Sequence, residues 1–138
     1  MCSDNRDDAG RRGCGGAGGR GDPVDGIVAI GGLLATLEMA PQRAYRAIDA
    51  RLHRAIAEAT GSASLVSAVA DVQLRLSDVL SQIPLLQEAL RHSDTQHREI
   101  IAAVSTADPG GARTAMLAHL AATETLLRGF LSEDSAYE

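Results

Sequence analysis

From Ile27 to Phe130 the apolar residues return every third or fourth position, and no segment alternates in period two. That pattern suits amphipathic helices and excludes half-buried strands, so it predicts an all-α fold. Turn and cap residues cut it into about five helices. The first covers about 27–40, with Ile27, Ile30, Leu34 and Leu37 in 3-4-3 steps and Gly31-Gly32 weakening its middle. The second covers 42–60, carries Tyr45, Ile48, Leu52, Ile56 and Ala59 on one face, and ends at Gly61. The third covers 63–83 behind a Ser62 or Ser64 cap, with Leu65, Val69, Val72, Leu76, Val79 and Ile83 as its stripe. Pro84 breaks the chain and a fourth helix covers 85–106. Asp108-Pro109 then opens a fifth helix to about 131, with Ala112, Met116, Leu120, Thr123, Leu127 and Phe130 inward. The expected architecture is an antiparallel helical bundle.

The leading segment reads otherwise. Ten of the 14 glycines fall in residues 1–32, and 10–21 reads GRRGCGGAGGRG. Such a stretch loses much backbone entropy on ordering and has little to bury. The expected organisation is a disordered Gly/Arg/Asp-rich tail over 1–25, a helical domain over 26–132 and a short tail over 133–138. Cys2 and Cys14 lie in the first tail and read as exposed, reduced thiols rather than a disulfide framework. Gly13 to Gly18 formally fits GxGxxG, but neither a strand before it nor a helix after it supports a dinucleotide site. Lysine is absent, which excludes a P-loop.

Composition narrows the function further. The formal net charge is -5, and the tail sets four Arg against five Asp, so no basic surface for nucleic acid is expected of this chain alone. No apolar run approaches the ~20 residues of a membrane-spanning helix, and no signal sequence opens the chain. A cytoplasmic protein is expected.

The chemistry-bearing residues are histidines. Asp49 and His53 stand four apart, about 40° offset on one helix face. His97 precedes Ile100 and Ile101, and His119 follows Met116, so both lie beside apolar stripes on two other helices. His92 falls about 140° from His97 and is left as surface. Three neutral imidazoles and one carboxylate form a borderline donor set for zinc, nickel, manganese, cobalt or iron. The same spacing also fits ordinary core histidines. No Ser-His-Asp or Cys-His order points to nucleophilic catalysis.

Three stretches carry a family likeness. DARLHRAIAEATG at 49–61 resembles the D-x-x-F-H-x-x-[IL]-x-x-A-[ST]-G-N stretch of the FCD domain, the effector-binding domain of FadR/VanR-type GntR transcription regulators of bacteria. HREIIAAVSTADPGGA at 97–112 resembles its H-x-x-I-x-x-A-I-x-x-x-D-x-x-x-A stretch, and MLAHL at 116–120 its M-x-x-H-[IL]. The likeness covers about residues 33–131. Leu52 stands where Phe is usual and Ser62 where Asn is usual. The stretch 81–92 is shorter than the common pattern. The family's opening effector-domain helix and its winged-helix DNA-binding domain are not found in this sequence.

The resemblance implies a helical bundle holding a divalent metal, with Asp49, His53, His97 and His119 at the matching positions. It implies a small carboxylate-bearing effector completing the shell, and regulation rather than enzymatic turnover. Zinc, nickel and manganese are the expected ions. An arginine on the effector carboxylate is expected to be Arg75, which lies mid-helix among apolar residues. Homodimerisation is the expected outlet for apolar surface left uncovered. The competing readings are a helical interaction module with structural histidines, and a metal-dependent enzyme.

Overall fold

The computed structural model describes residues 23–134. The described residues form a bundle of five helices: α1 (Pro23–Glu38), α2 (Gln42–Ala59), α3 (Ala63–Leu80), α4 (Gln87–Ser105) and α5 (Pro109–Asp134). Among the described residues there is no strand. Residues 1–22 of the expected 1–25 tail, and most of the closing one, lie outside the described residues. α1 begins at Pro23 rather than near Ile27, and so takes Pro23, Val24 and Asp25 from the segment expected to be disordered. Proline is a frequent helix opener, which the periodicity of the later residues could not show.

Local chemistry sets the boundaries. Gly61, at φ +70°, lets the chain leave α2 through the left-handed region. Ser62 then caps α3, its side chain accepting from the Leu65 N–H at 3.3 Å. Asp108 Oδ1 accepts from the Gly111 N–H at 2.9 Å and caps α5. α3 stops at Leu80 and α4 starts at Gln87, because the link between them is held down from α2. Gln42 Nε2 donates to the Leu85 carbonyl at 2.8 Å, and Arg46 donates to the Ile83 carbonyl.

α4 ends in a Schellman motif closed without glycine. The Asp108 N–H reaches the Ala103 carbonyl at 2.9 Å and the Ala107 N–H reaches the Val104 carbonyl at 3.1 Å. Ala107 therefore sits at φ 54°, where its Cβ crowds the backbone. Ala107→Gly should relieve that crowding. After the extra entropy of glycine in the unfolded chain, it should stabilise the domain by about 0.5 kcal/mol. A urea unfolding curve with an unmoved or lower midpoint would count against this.

The core lies where α1, α2 and α4 meet. Ile30, Leu37, Tyr45, Leu52 and Ile101 are buried together, with Leu34, Ile48 and Leu90 packed against them. The Gly31-Gly32 pair does not interrupt α1, whose inward residues Ile30 and Leu37 are each 1% exposed. α2 packs on α1 and α3, and α4 on α1 and α5. The apolar stripe expected to bury α3 does not do so. α3 has no buried residue, Leu65 and Val72 are exposed, and of the stripe only Ile83, beyond the helix end, is buried. The reason is that α3 packs mainly against α2, and its other flank borders a cleft. On α5, Leu120 is likewise 52% exposed although it was expected inward.

Candidate metal centre

The buried face of α2 continues past Tyr45 through Asp49 and Leu52, so the periodicity that builds the core also carries the Asp49–His53 pair inward. On α4 the buried group is Gln96, His97, Ile100 and Ile101. On α5 it is His119 that is buried. The structure brings His53, His97 and His119 together, with ligating nitrogens within 4.8 Å of one another. Their ring centroids lie 5.3, 5.2 and 4.6 Å apart. Asp49 Oδ1 lies 3.2 Å from His97 Nε2 and 3.8 Å from His53 Nε2. Three helices, α2, α4 and α5, thus bring three histidines to one interior place, and Asp49 lies beside two of them, His97 and His53.

These donors are short of partners. Asp49 Oδ1 and both ring nitrogens of His97 are buried, and none forms a hydrogen bond. Buried polar atoms without partners are uncommon in folded proteins, and each asks for a physical reason. A cation bound among them would supply one for Asp49 Oδ1 and for the His97 nitrogen that faces it, Nε2, since a nitrogen lone pair and a carboxylate oxygen are what a borderline divalent ion takes. His119 is already oriented. Its Nδ1 faces Gln96 Oε1 at 3.1 Å, which places the ring proton on Nδ1 and leaves the Nε2 lone pair open.

The electrostatics fit the same chemistry. Burial pushes His53 down to about 4, aided by His119, and pushes His97 down to about 3, aided by His119 and His53. His119 is lowered too, by burial and then by His92. All three rings are therefore neutral donors at neutral pH. Burial, then the Asp94 carboxylate, pushes Asp49 up to about 7. The Tyr45 hydroxyl is held protonated by burial and by donating to Asp94 Oδ1 at 2.7 Å.

A cavity of about 400 Å³ opens from this centre between α2, α3, α4 and α5. Asp49, His53 and His119 line it, and so does Arg46. Arg75 does not. It is exposed on α3, paired with Asp71 one turn back at 3.2 Å, and away from the cavity walls. A position among apolar residues did not turn it inward because α3 buries no face, and a long side chain there reaches solvent. Arg46 is the arginine at the cavity, with its Nε buried and without a partner. Its place was readable, since it precedes Asp49 by three residues and so shares a helix face with it. Gln96 carried no such signal, because adjacent residues on a helix diverge by about 100°.

No helix among the described residues is long and apolar enough to cross a membrane. No curated protein and no solved structure matches the chain. The FCD domain matches over residues 19–122, a span that takes in α1 to α4, the first half of α5 and all four donor residues. The chain belongs to the FCD domain family, the ligand-sensing C-terminal domains of FadR/GntR-type transcription regulators.

Proposed function

We propose that this chain is the effector-sensing domain of a GntR-type regulator, binding a divalent metal through Asp49, His53, His97 and His119 and a small carboxylate-bearing metabolite beside it. Zinc, nickel and manganese are the candidate ions. The observation that carries the proposal is the convergence of His53, His97 and His119 from three helices beside Asp49, with Asp49 Oδ1 and the His97 nitrogens buried and without a hydrogen-bond partner. A bound ion would supply the positive charge that draws an effector carboxylate into the cavity. Arg46 adds a second, since it lines the same cavity and its Nε has no partner, although another of its nitrogens donates to the Ile83 carbonyl. The chain works by binding rather than by turnover, as befits a family of regulators. With a net charge of -5, it leaves DNA contact to other parts of the regulator.

The proton balance gives a sharp test. His53 and His97, pushed down to about 4 and about 3, hold no proton at pH 6, whereas the Asp49 carboxyl, pushed up to about 7, still does. Metal needs the anion, so proton and ion compete at Asp49. Affinity should rise about tenfold per pH unit up to about 7 and level off above it. Zinc titrated calorimetrically in two buffers of different ionisation heat should release about one proton per ion at pH 6 and almost none at pH 8. Release of two or more at pH 6 would mean that the histidines start out charged. Absence of zinc uptake at pH 8 would remove the proposal.

A further inference from the structure

The walls of the cavity are unlike one another. Its α2 wall is polar, with Tyr45, Arg46, Asp49 and His53. Facing it are α3 and the link after it, which bring Leu76, Leu80 and Ile83, and α5, which brings Leu126 but also Thr123 and Thr125; Ser93 and Gln96 of α4 add polar groups on the side. Most of the cavity surface is apolar. α3 and α5 do not pack substantially on each other, so the cleft between them is what leaves Val72 and Leu120 more than half exposed.

Resting on the metal-and-carboxylate reading above, we infer that the effector is an amphipathic monocarboxylate, its carboxylate at Arg46 and the Asp49–His53–His119 wall and its reduced apolar body between α3 and α5. Three observations lead there. Arg46, Asp49 and His53 lie on α2, and His119 reaches His53 from α5, so the charged and ligating groups gather at one end of the cavity and only that end of a ligand can be satisfied by charge. The α3 wall and the link offer hydroxyl groups few partners, with Gln73 the one polar side chain among Val72, Leu76, Leu80, Ile83, Pro84, Leu85 and Leu86. A sugar acid would desolvate each hydroxyl without replacement hydrogen bonds there. Finally, about 400 Å³ holds roughly a dozen non-hydrogen atoms, at ~30 Å³ of liquid per water-sized group. An eight-carbon acid fits that volume. Its chain would cover apolar surface on α3 and α5 that the fold itself leaves open.

The test uses the full chain, first assayed for bound zinc, then titrated with butanoate, hexanoate, octanoate and gluconate. Each buried methylene should tighten binding roughly fourfold, so octanoate should bind about tenfold or more tighter than hexanoate, with gluconate weakest. Leu76→Gln should weaken octanoate about tenfold and leave zinc stoichiometry at its original value. Leu126→Gln serves the same purpose from α5 if the first variant fails to fold. A flat series on zinc-loaded protein, or gluconate binding as tightly as octanoate, overturns the inference and leaves the metal reading standing. A steep series on protein that takes up no zinc does the reverse: the apolar cleft stands and the metal reading falls.

Discussion

Zinc in large excess should raise the melting temperature of this chain by roughly 15 °C, and a chelator should return it to the start. The donors come from α2, α4 and α5, and the unfolded chain cannot hold them at one point. An ion that binds only the folded form stabilises by about 4 kcal/mol at 1,000 times its dissociation constant. For a domain of this size, ~1 kcal/mol moves the midpoint by roughly 4 °C. His97→Ala should abolish the zinc shift. It should lower the zinc-free midpoint as well, since emptying a fully buried position leaves a cavity even where no hydrogen bond is lost. Thermal melts of both proteins, with and without zinc, check this. An equal zinc shift in the variant would show that the ion sits elsewhere.

Leu52→Ala should remove about 2–5 kcal/mol, with zinc or without it. Leu52 is fully buried in the cluster shared by α1, α2 and α4. The cluster is small, and the stripes of α3 and much of α5 do not reinforce it. One truncation therefore takes a large share of the ~5–15 kcal/mol that holds such a domain together. Urea unfolding measures it, and a loss under ~1 kcal/mol would mean that the site collapses around the gap or that the core lies elsewhere. Zinc stoichiometry should be unchanged, which separates packing from coordination.

The helical class was legible because periodicity alone decides it, and caps at Ser62 and Asp108 fixed two helix starts. The Asp49–His53 pair was legible for the same reason, since a four-residue step is a contact on a helix. That His97 and His119 converge on that pair is a matter of how α4 and α5 pack, which spacing within a helix does not encode; there the family likeness supplied what periodicity could not. α3 marks the limit most clearly. Its stripe is apolar, but an apolar stripe reads the same whether protein or a cleft lies against it. The same ambiguity applies to Arg75, which lies exposed on α3 outside the cavity, whereas Arg46 on the Asp49 face of α2 lines it.

α5 rests mainly on α4 and meets α2 through the stacked rings of His119 and His53, 5.2 Å apart. An ion shared by those rings would make that encounter a strut between two rods. Force applied at the distal half of α5 would then reach α2 directly, bypassing the hydrophobic cluster. The domain would transmit by leverage, with the ion as fulcrum, and the first observable of its removal would be faster amide exchange along the fifth helix.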